Sequence, residues 1–272
     1  MTRASGVMAK RATANRLEAL GRPDLLLVSY LKQALRQPGC SLCRVLRDAD
    51  LHYLRVFLRE GKDDGRMLLR LLGSWGLCAR HANGLVQLEP PERGDGLGTG
   101  TLYDWLLDYA RRRLEDLRWD LGTDDRAGSP QWRRRRNPRQ RMGRLLRRLA
   151  RTTPCPACEA QQRYAEYLVE GFVRALEPAS GLPALQEMYL ASEGLCLPHW
   201  QVVLGLRPSS GVHELITRKQ HEVVASLKAA LEADLDRGVS REVREGGPKQ
   251  EPGCARALAA AAGDTTWQPP ER

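Results

Sequence analysis

The sequence has few aromatic side chains, no long apolar run and no sustained alternation of polar and apolar residues. Only 6% of its 272 residues are aromatic, and two of those are Phe. A core must therefore be built mainly from Leu, Ala and Val, the stock of packed helices rather than sheets. No run approaches the roughly 18–20 consecutive apolar residues of a membrane-spanning helix, which excludes an integral helical membrane protein. The basic N-terminus is not followed by the apolar stretch of about 7–15 residues that drives secretion, so a cytoplasmic protein is expected. The signatures G-x-x-x-x-G-K, G-x-S-x-G and H-E-x-x-H are also missing, and with them the common phosphate-loop, hydrolase and zinc-protease chemistries. Gly94–Gly100 (GDGLGTG) follows Pro90-Pro91 and reads as a loop. No catalytic constellation and no small-molecule site emerge, and a non-enzymatic role is expected. What remains, 42% hydrophobic and 28% charged residues, is the composition of a folded protein, and the expected fold class is all-α.

Charge is concentrated in one place. Gln131–Arg151 holds ten Arg and no acid, and the rest of the chain balances, so this segment carries the whole formal charge of +10. Pro138 interrupts it. Its first part, with Arg133, Arg134, Arg135 and Arg136, reads as an exposed linker. In its second part Met142, Leu145, Leu146 and Leu149 form a helical stripe opposite Arg144, Arg147, Arg148 and Arg151.

Helical spacing recurs elsewhere. Asp24 opens a pattern through Leu27, Tyr30, Leu31 and Leu35 that stops at Pro38-Gly39. Thr101-x-x-Asp104 reads as a helix start, followed by Leu102, Trp105, Leu106 and Tyr109 on one face. Val212, Leu215, Ile216, Val223, Val224, Leu227 and Leu231 mark a late helix of about 25 residues. Domain boundaries follow: a flexible N-terminus over 1–22, a helical module over 23–121, an Arg-rich linker over 122–140, a second module over 141–236, and a disordered tail over 237–272.

The strongest signal is an internal repeat. Cys40-Ser-Leu-Cys43 is followed by Gly76-Leu77-Cys78-Ala-Arg-His81, and Cys155-Pro-Ala-Cys158 by Gly194-Leu195-Cys196-Leu-Pro-His199. The two intervals are 34 and 37 residues long, and Phe57 and Phe172 each stand 14 residues after the second cysteine of their copy. Leu85 and Val203 lie four residues beyond the histidines, Leu88 and Leu206 seven.

Two cysteines two residues apart at a helix start can aim both sulfurs at one centre, and a second pair completes a tetrahedron of the kind Zn(II) prefers. Helix N-termini favour the thiolate form. Two zinc ions per chain are expected, held by Cys40, Cys43, Cys78, His81, Cys155, Cys158, Cys196 and His199. Pairing within each copy is expected, because shorter loops close at lower entropic cost; a swapped arrangement, the C-x-x-C of one copy with the C-x-x-H of the other, stays open. An iron-sulfur cluster is the alternative cofactor. Four protein ligands leave no position for substrate, so the metal is expected to be structural and its removal to unfold each module. Cys254, in the tail, is read as a bystander thiol, and His52, His213 and His221 as solvated or core residues.

The duplicated C-x-x-C and G-L-C-x-x-H resemble a bacterial family of helical proteins carried under a domain-of-unknown-function label, whose members have CPxC followed by GxCxxH. The resemblance covers about residues 25–235 and departs from the pattern at Ser41, where Pro is usual. It implies a mostly helical zinc-binding protein with the same eight ligands, and no particular task. Two functional readings follow from the residues. One is a zinc-stapled binding module whose Arg-rich segment meets nucleic acid or another polyanion. The other is a thiol-based zinc or redox sensor.

Overall fold

The structure, a computed structural model, describes residues 24–61, 64–88, 97–122, 150–180, 182–239 and 260–263, with Gly143, Arg147 and Ala257. Among the described residues all regular structure is helical: α1 (Leu25–Leu35), α2 (Ser41–Val56), α3 (Gly65–Gly73), α4 (Ala79–Leu88), α5 (Leu97–Gly122), α6 (Pro156–Leu176), α7 (Pro183–Ala191), α8 (Leu197–Gly205) and α9 (Ser210–Val239). A π turn, Phe57–Gly61, extends α2, and a 3₁₀ turn, Pro178–Ser180, follows α6. No described helix is long and apolar enough to cross a membrane.

Local chemistry accounts for the boundaries. The Asp24 carboxylate accepts from Leu26 N at 2.9 Å and caps α1, whose stripe Leu27, Val28, Leu31, Ala34 and Leu35 is buried. Gly39, at φ +85°, turns the chain toward α2. Asp64 caps α3 through Arg66 N and Met67 N. Three expectations fail at the edges. Helix α5 starts at Leu97, not Thr101, and takes Gly98 and Gly100 inside it. Two helical glycines cost roughly 0.5–1 kcal/mol each, a small charge beside the burial of Leu102 and Leu106 on the same helix. Trp105 and Val224, placed on apolar stripes by periodicity, are half-exposed, and so is Tyr30. Helix α9 runs 30 residues to Val239, beyond the expected tail boundary at 237, and Ala257 and Ala260–Ala262 are helical too. Of the expected Arg-rich helix, Gly143 and Arg147 are helical; the N-terminal 1–22 segment, the 123–140 part of the linker, Cys254 and most of the Arg-rich segment lie outside the described residues.

The chain divides into two compact units that do not follow the repeat. Unit 1 comprises Met1–Ala49 with Arg163–Gln268, and unit 2 comprises Asp50–Gln162 with Pro269–Arg272. The divisions fall inside α2 and α6, so the expected modules over 23–121 and 141–236 are each split. Apolar burial gives the reason. In unit 1 the stripe of α1 and the first turns of α2 pack with Leu168, Val169, Phe172 and Val173 of α6 and with Leu185, Tyr189, Leu195, Val203 and Ile216. Gly171 lets α1 approach, since a Cβ there would stand 2.0 Å from Leu27 Cδ2. In unit 2 Leu54 and Phe57 pack with Leu71, Leu77, Leu85, Leu102 and Ala157. Phe57 and Phe172, matched in sequence, are thus core residues of different units, Phe172 meeting Tyr189 edge-on at 5.6 Å.

Candidate metal centres

The lead-in to each C-x-x-H pair uses the same two residues, a serine and a glycine, in two different hydrogen-bonding patterns. Helix α3 ends at Ser74, whose hydroxyl lies 3.0 Å from Leu71 O and 2.8 Å from Gly76 O. Gly76 follows at φ +92°, and a Cβ on it would stand 2.8 Å from Leu106 Cδ2. In the second copy Ser192 Oγ donates to Tyr189 O at 2.7 Å and accepts from Gly194 N at 3.1 Å, and Gly194 sits at φ +73°. The glycine of G-L-C-x-x-H therefore answers a left-handed turn that only glycine adopts without strain. The serines, each four residues before a cysteine and each buried, extend the repeated motif to S-x-G-L-C-x-x-H.

All four leading cysteines precede a helix. The carbonyls of Cys40, Cys78, Cys155 and Cys196 accept from the amides of Arg44, Ala82, Glu159 and Trp200 at 2.9–3.2 Å, the first hydrogen bond of α2, α4, α6 and α8. Each thiol thus stands where a helix terminus favours negative charge. At Cys155 burial works to raise the thiol pKa, but the His81 imidazole and the amides of Cys158, Cys78 and Ala157 overcome it and hold it at about 6. Cys158, burdened by burial and by the neighbouring Cys78 and Cys155, is pushed up to about 12. Hydrogen bonds from Cys196 and Cys43 bring Cys40 well below its ordinary value.

The eight predicted ligands converge into two tetrads, with the donor atoms of each within 4.8 Å of one another. Their composition corrects the expected pairing. One centre holds Cys40, Cys43, Cys196 and His199, the other Cys78, His81, Cys155 and Cys158, so each joins the C-x-x-C of one copy to the C-x-x-H of the other. The first centre belongs wholly to unit 1 and the second wholly to unit 2.

The entropic argument for local pairing has the right sign and too small a size. Crossing lengthens the Cys43 closure from 35 residues to 153 and the Cys158 closure from 38 to 80. At (3/2)RT ln n this costs about 2 kcal/mol in total, roughly the worth of burying one leucine. Contacts that involve no ligand fix the crossing. Gly39 N, just before Cys40, donates to Glu193 Oε2 at 2.8 Å. Thr152 N, just before Cys155, donates to Gly73 O at 2.8 Å, and Thr153 Oγ1 to Arg70 O at 3.0 Å.

Donor spacing tests the fit to one ion. Tetrahedral Zn(II), with bonds of about 2.3 Å to sulfur and 2.0 Å to nitrogen, places sulfurs about 3.8 Å apart and sulfur about 3.5 Å from nitrogen. In unit 1 Cys43 and Cys196 Sγ are 3.7 Å apart, and His199 Nδ1 lies 3.5, 3.3 and 3.1 Å from the sulfurs of Cys40, Cys43 and Cys196. In unit 2 Cys78 and Cys158 Sγ are 3.6 Å apart, with His81 Nδ1 3.1, 3.6 and 3.4 Å from Cys78, Cys155 and Cys158. The residues fit, and Nδ1 is the ring nitrogen that faces the sulfurs in both.

The surroundings differ. His81 Nε2 is 3.0 Å from Asp50 Oδ1, with both side chains 1% exposed. Against burial, which would lower it, Asp50 and Cys155 hold His81 up to about 10. In unit 1 the loop before Cys196 is tied to α9 by Leu195 N donating to the buried Gln220 at 3.4 Å. Gly263, in the expected tail, also approaches there: at φ +79°, its Cβ would lie 3.5 Å from Cys196 Sγ and 3.7 Å from Cys43 Sγ. Only the apolar run before Gly263 hinted at that contact.

Of the other site candidates, Arg147 and Arg151 are exposed, while Arg133, Arg134, Arg135, Arg136, Arg144 and Arg148 lie outside the described residues. His52, His213 and His221 are exposed and join neither tetrad. The chain matches no protein-family model, no curated protein and no solved structure.

Proposed function

We propose that the chain is a zinc-binding helical protein in which two structural ions each clamp one copy of the repeat to the other, and that it works as a binding module rather than an enzyme. The observation that carries this reading is the donor spacing: three sulfurs and one Nδ1 gathered within 4.8 Å of one another, close enough to share one zinc ion, twice over. An iron-sulfur cluster distributes its thiolates over different irons and asks for a wider set than these. Four protein donors fill the tetrahedron and leave no position for a water or substrate, which supports a structural rather than hydrolytic ion. Structural zinc contributes about 10–16 kcal/mol of apparent binding energy in small peptides, on the scale of the net stability of a whole domain. Elemental analysis of the purified chain tests the reading: two zinc per chain is expected, and iron, or no metal, refutes it.

The anionic partner rests on the sequence. Ten Arg within 21 residues, in a chain otherwise neutral, suit a polyphosphate such as RNA or DNA, bound through its backbone rather than by base reading. If six to ten of them meet phosphates, affinity falls about 10³–10⁵-fold between 50 and 200 mM salt. A salt-dependent mobility shift that survives changing Arg133–Arg136, Arg147 and Arg148 to Gln would remove the segment from this role.

A further inference from the structure

The two copies serve as an internal alignment, and they differ at one pair beside a histidine ligand. Seven residues after the second cysteine of C-x-x-C stands Asp50 in the first copy and Ala165 in the second; between the C and H of C-x-x-H, one residue before the histidine, stands Arg80 in the first copy and Pro198 in the second. In unit 2 these two residues meet. Asp50 Oδ1 lies 3.0 Å from His81 Nε2, and Arg80 Nη2 donates to Asp50 Oδ2 at 3.0 Å. The carboxylate is 1% exposed, whereas the Arg80 side chain is half in solvent. Carboxylate and guanidinium are thus present together in one copy and missing together from the other.

A carboxylate this deeply buried is held against a desolvation penalty, offset here by the imidazole on one oxygen and the guanidinium on the other. Its effect on the ligand is directional. Its charge, 3.0 Å from Nε2, favours a hydrogen on that nitrogen, which turns Nδ1 to the three sulfurs and makes it a stronger donor. Arg80 binds the other carboxylate oxygen and holds Asp50 turned toward the ring. At the corresponding place in unit 1, Ala165 offers only a methyl group, packed at the edge of the apolar core.

We propose that Asp50, supported by Arg80, is a positioning residue that makes the Cys78–His81–Cys155–Cys158 centre the more retentive of the two, so that the chain gives up its metal in two steps, the Cys40–Cys43–Cys196–His199 centre first. The inference rests on the metal reading above and extends it. The unit 2 centre is a permanent staple, and the unit 1 centre is the exchangeable one.

The test uses the full chain loaded with two equivalents of zinc and titrated with a chromophoric chelator. Two release steps are expected, and Cys43→Ser with Cys196→Ser leaves only the later one. Asp50→Asn, isosteric and uncharged, advances the later step by about 10–100-fold in chelator concentration, the usual cost of losing an outer-shell partner, and leaves the earlier step in place. Arg80→Gln, made from a half-exposed side chain, shifts it in the same direction by less. With Co(II) in place of zinc, Asp50→Asn alters the sulfur-to-metal charge-transfer band of the later step while helicity is unchanged, a signature that a purely structural residue would not give. Release of both ions in one step, or a later step unmoved by Asp50→Asn, overturns this inference alone. A chain that takes up no metal overturns it together with the metal reading.

Discussion

Removing ligands two at a time decides how the metal joins the repeat. Cys43→Ser with Cys196→Ser takes two donors from one centre and leaves the other whole, whereas Cys43→Ser with Cys78→Ser takes one donor from each. If four ligands share about 10–16 kcal/mol of apparent binding energy, each is worth about 2.5–4 kcal/mol. A three-donor centre then binds about 10²–10³-fold more weakly and is stripped by a chelator that an intact centre resists. After such a challenge the first variant should retain one zinc per chain and the second none. Cys78→Ser with Cys158→Ser should mirror the first, and Cys158→Ser with Cys196→Ser the second. Pairing within each copy inverts every one of these outcomes. The entropic difference of about 2 kcal/mol between the pairings is too small to let the chain switch once α1 has buried Leu27 and Leu31 against α6. One zinc retained by Cys43→Ser with Cys78→Ser, and none by Cys43→Ser with Cys196→Ser, would refute the crossed arrangement.

Other consequences are open to direct measurement. Gly171→Val drives a side chain into Leu27 Cδ2 and should cost about 1–3 kcal/mol in denaturant unfolding; an unchanged midpoint would mean that α1 does not pack there. Ser74→Ala removes a buried hydroxyl that ties the turn before Cys78 and should lower stability by about 1 kcal/mol, as should Ser192→Ala; a loss below about 0.3 kcal/mol at both would reject a role for the serines. Gly263→Val places a branched side chain at φ +79° beside two sulfurs, costing roughly 1–2 kcal/mol of backbone strain and hastening chelator release from the unit 1 centre only; equal hastening at both centres would contradict that contact. Zinc needs bare thiolates and a free Nδ1. Because His81 is held up to about 10 and Cys158 up to about 12, both carry protons at pH 7 that loading must expel. Affinity should therefore rise with pH and fall on acidification, more steeply below about 6, where Cys155 also protonates. Proton release in weak buffer reads this directly, and zinc affinity constant between pH 6 and 8 would count against it.

The sequence alone carried the helical class, the eight donors and their grouping into three sulfurs and one imidazole, because these follow from composition and from spacing along the chain. Gly76 and Gly194 stand in the repeat, but that they and the serines before them build a left-handed turn was shown only by the fold. Which C-x-x-C meets which C-x-x-H was decided only by tertiary structure. The choice turns on packing between segments more than 70 residues apart: Leu27 against Gly171, Thr152 against Gly73, Gly39 against Glu193. Their combined weight exceeds the small entropic preference for short loops. The same holds for Asp50, whose place beside His81 depends on where α2 lays its second and third turns, and for Gly263, brought to two sulfurs from far along the chain. Period and spacing fix what a segment can become; only the distribution of buried surface fixes what it touches.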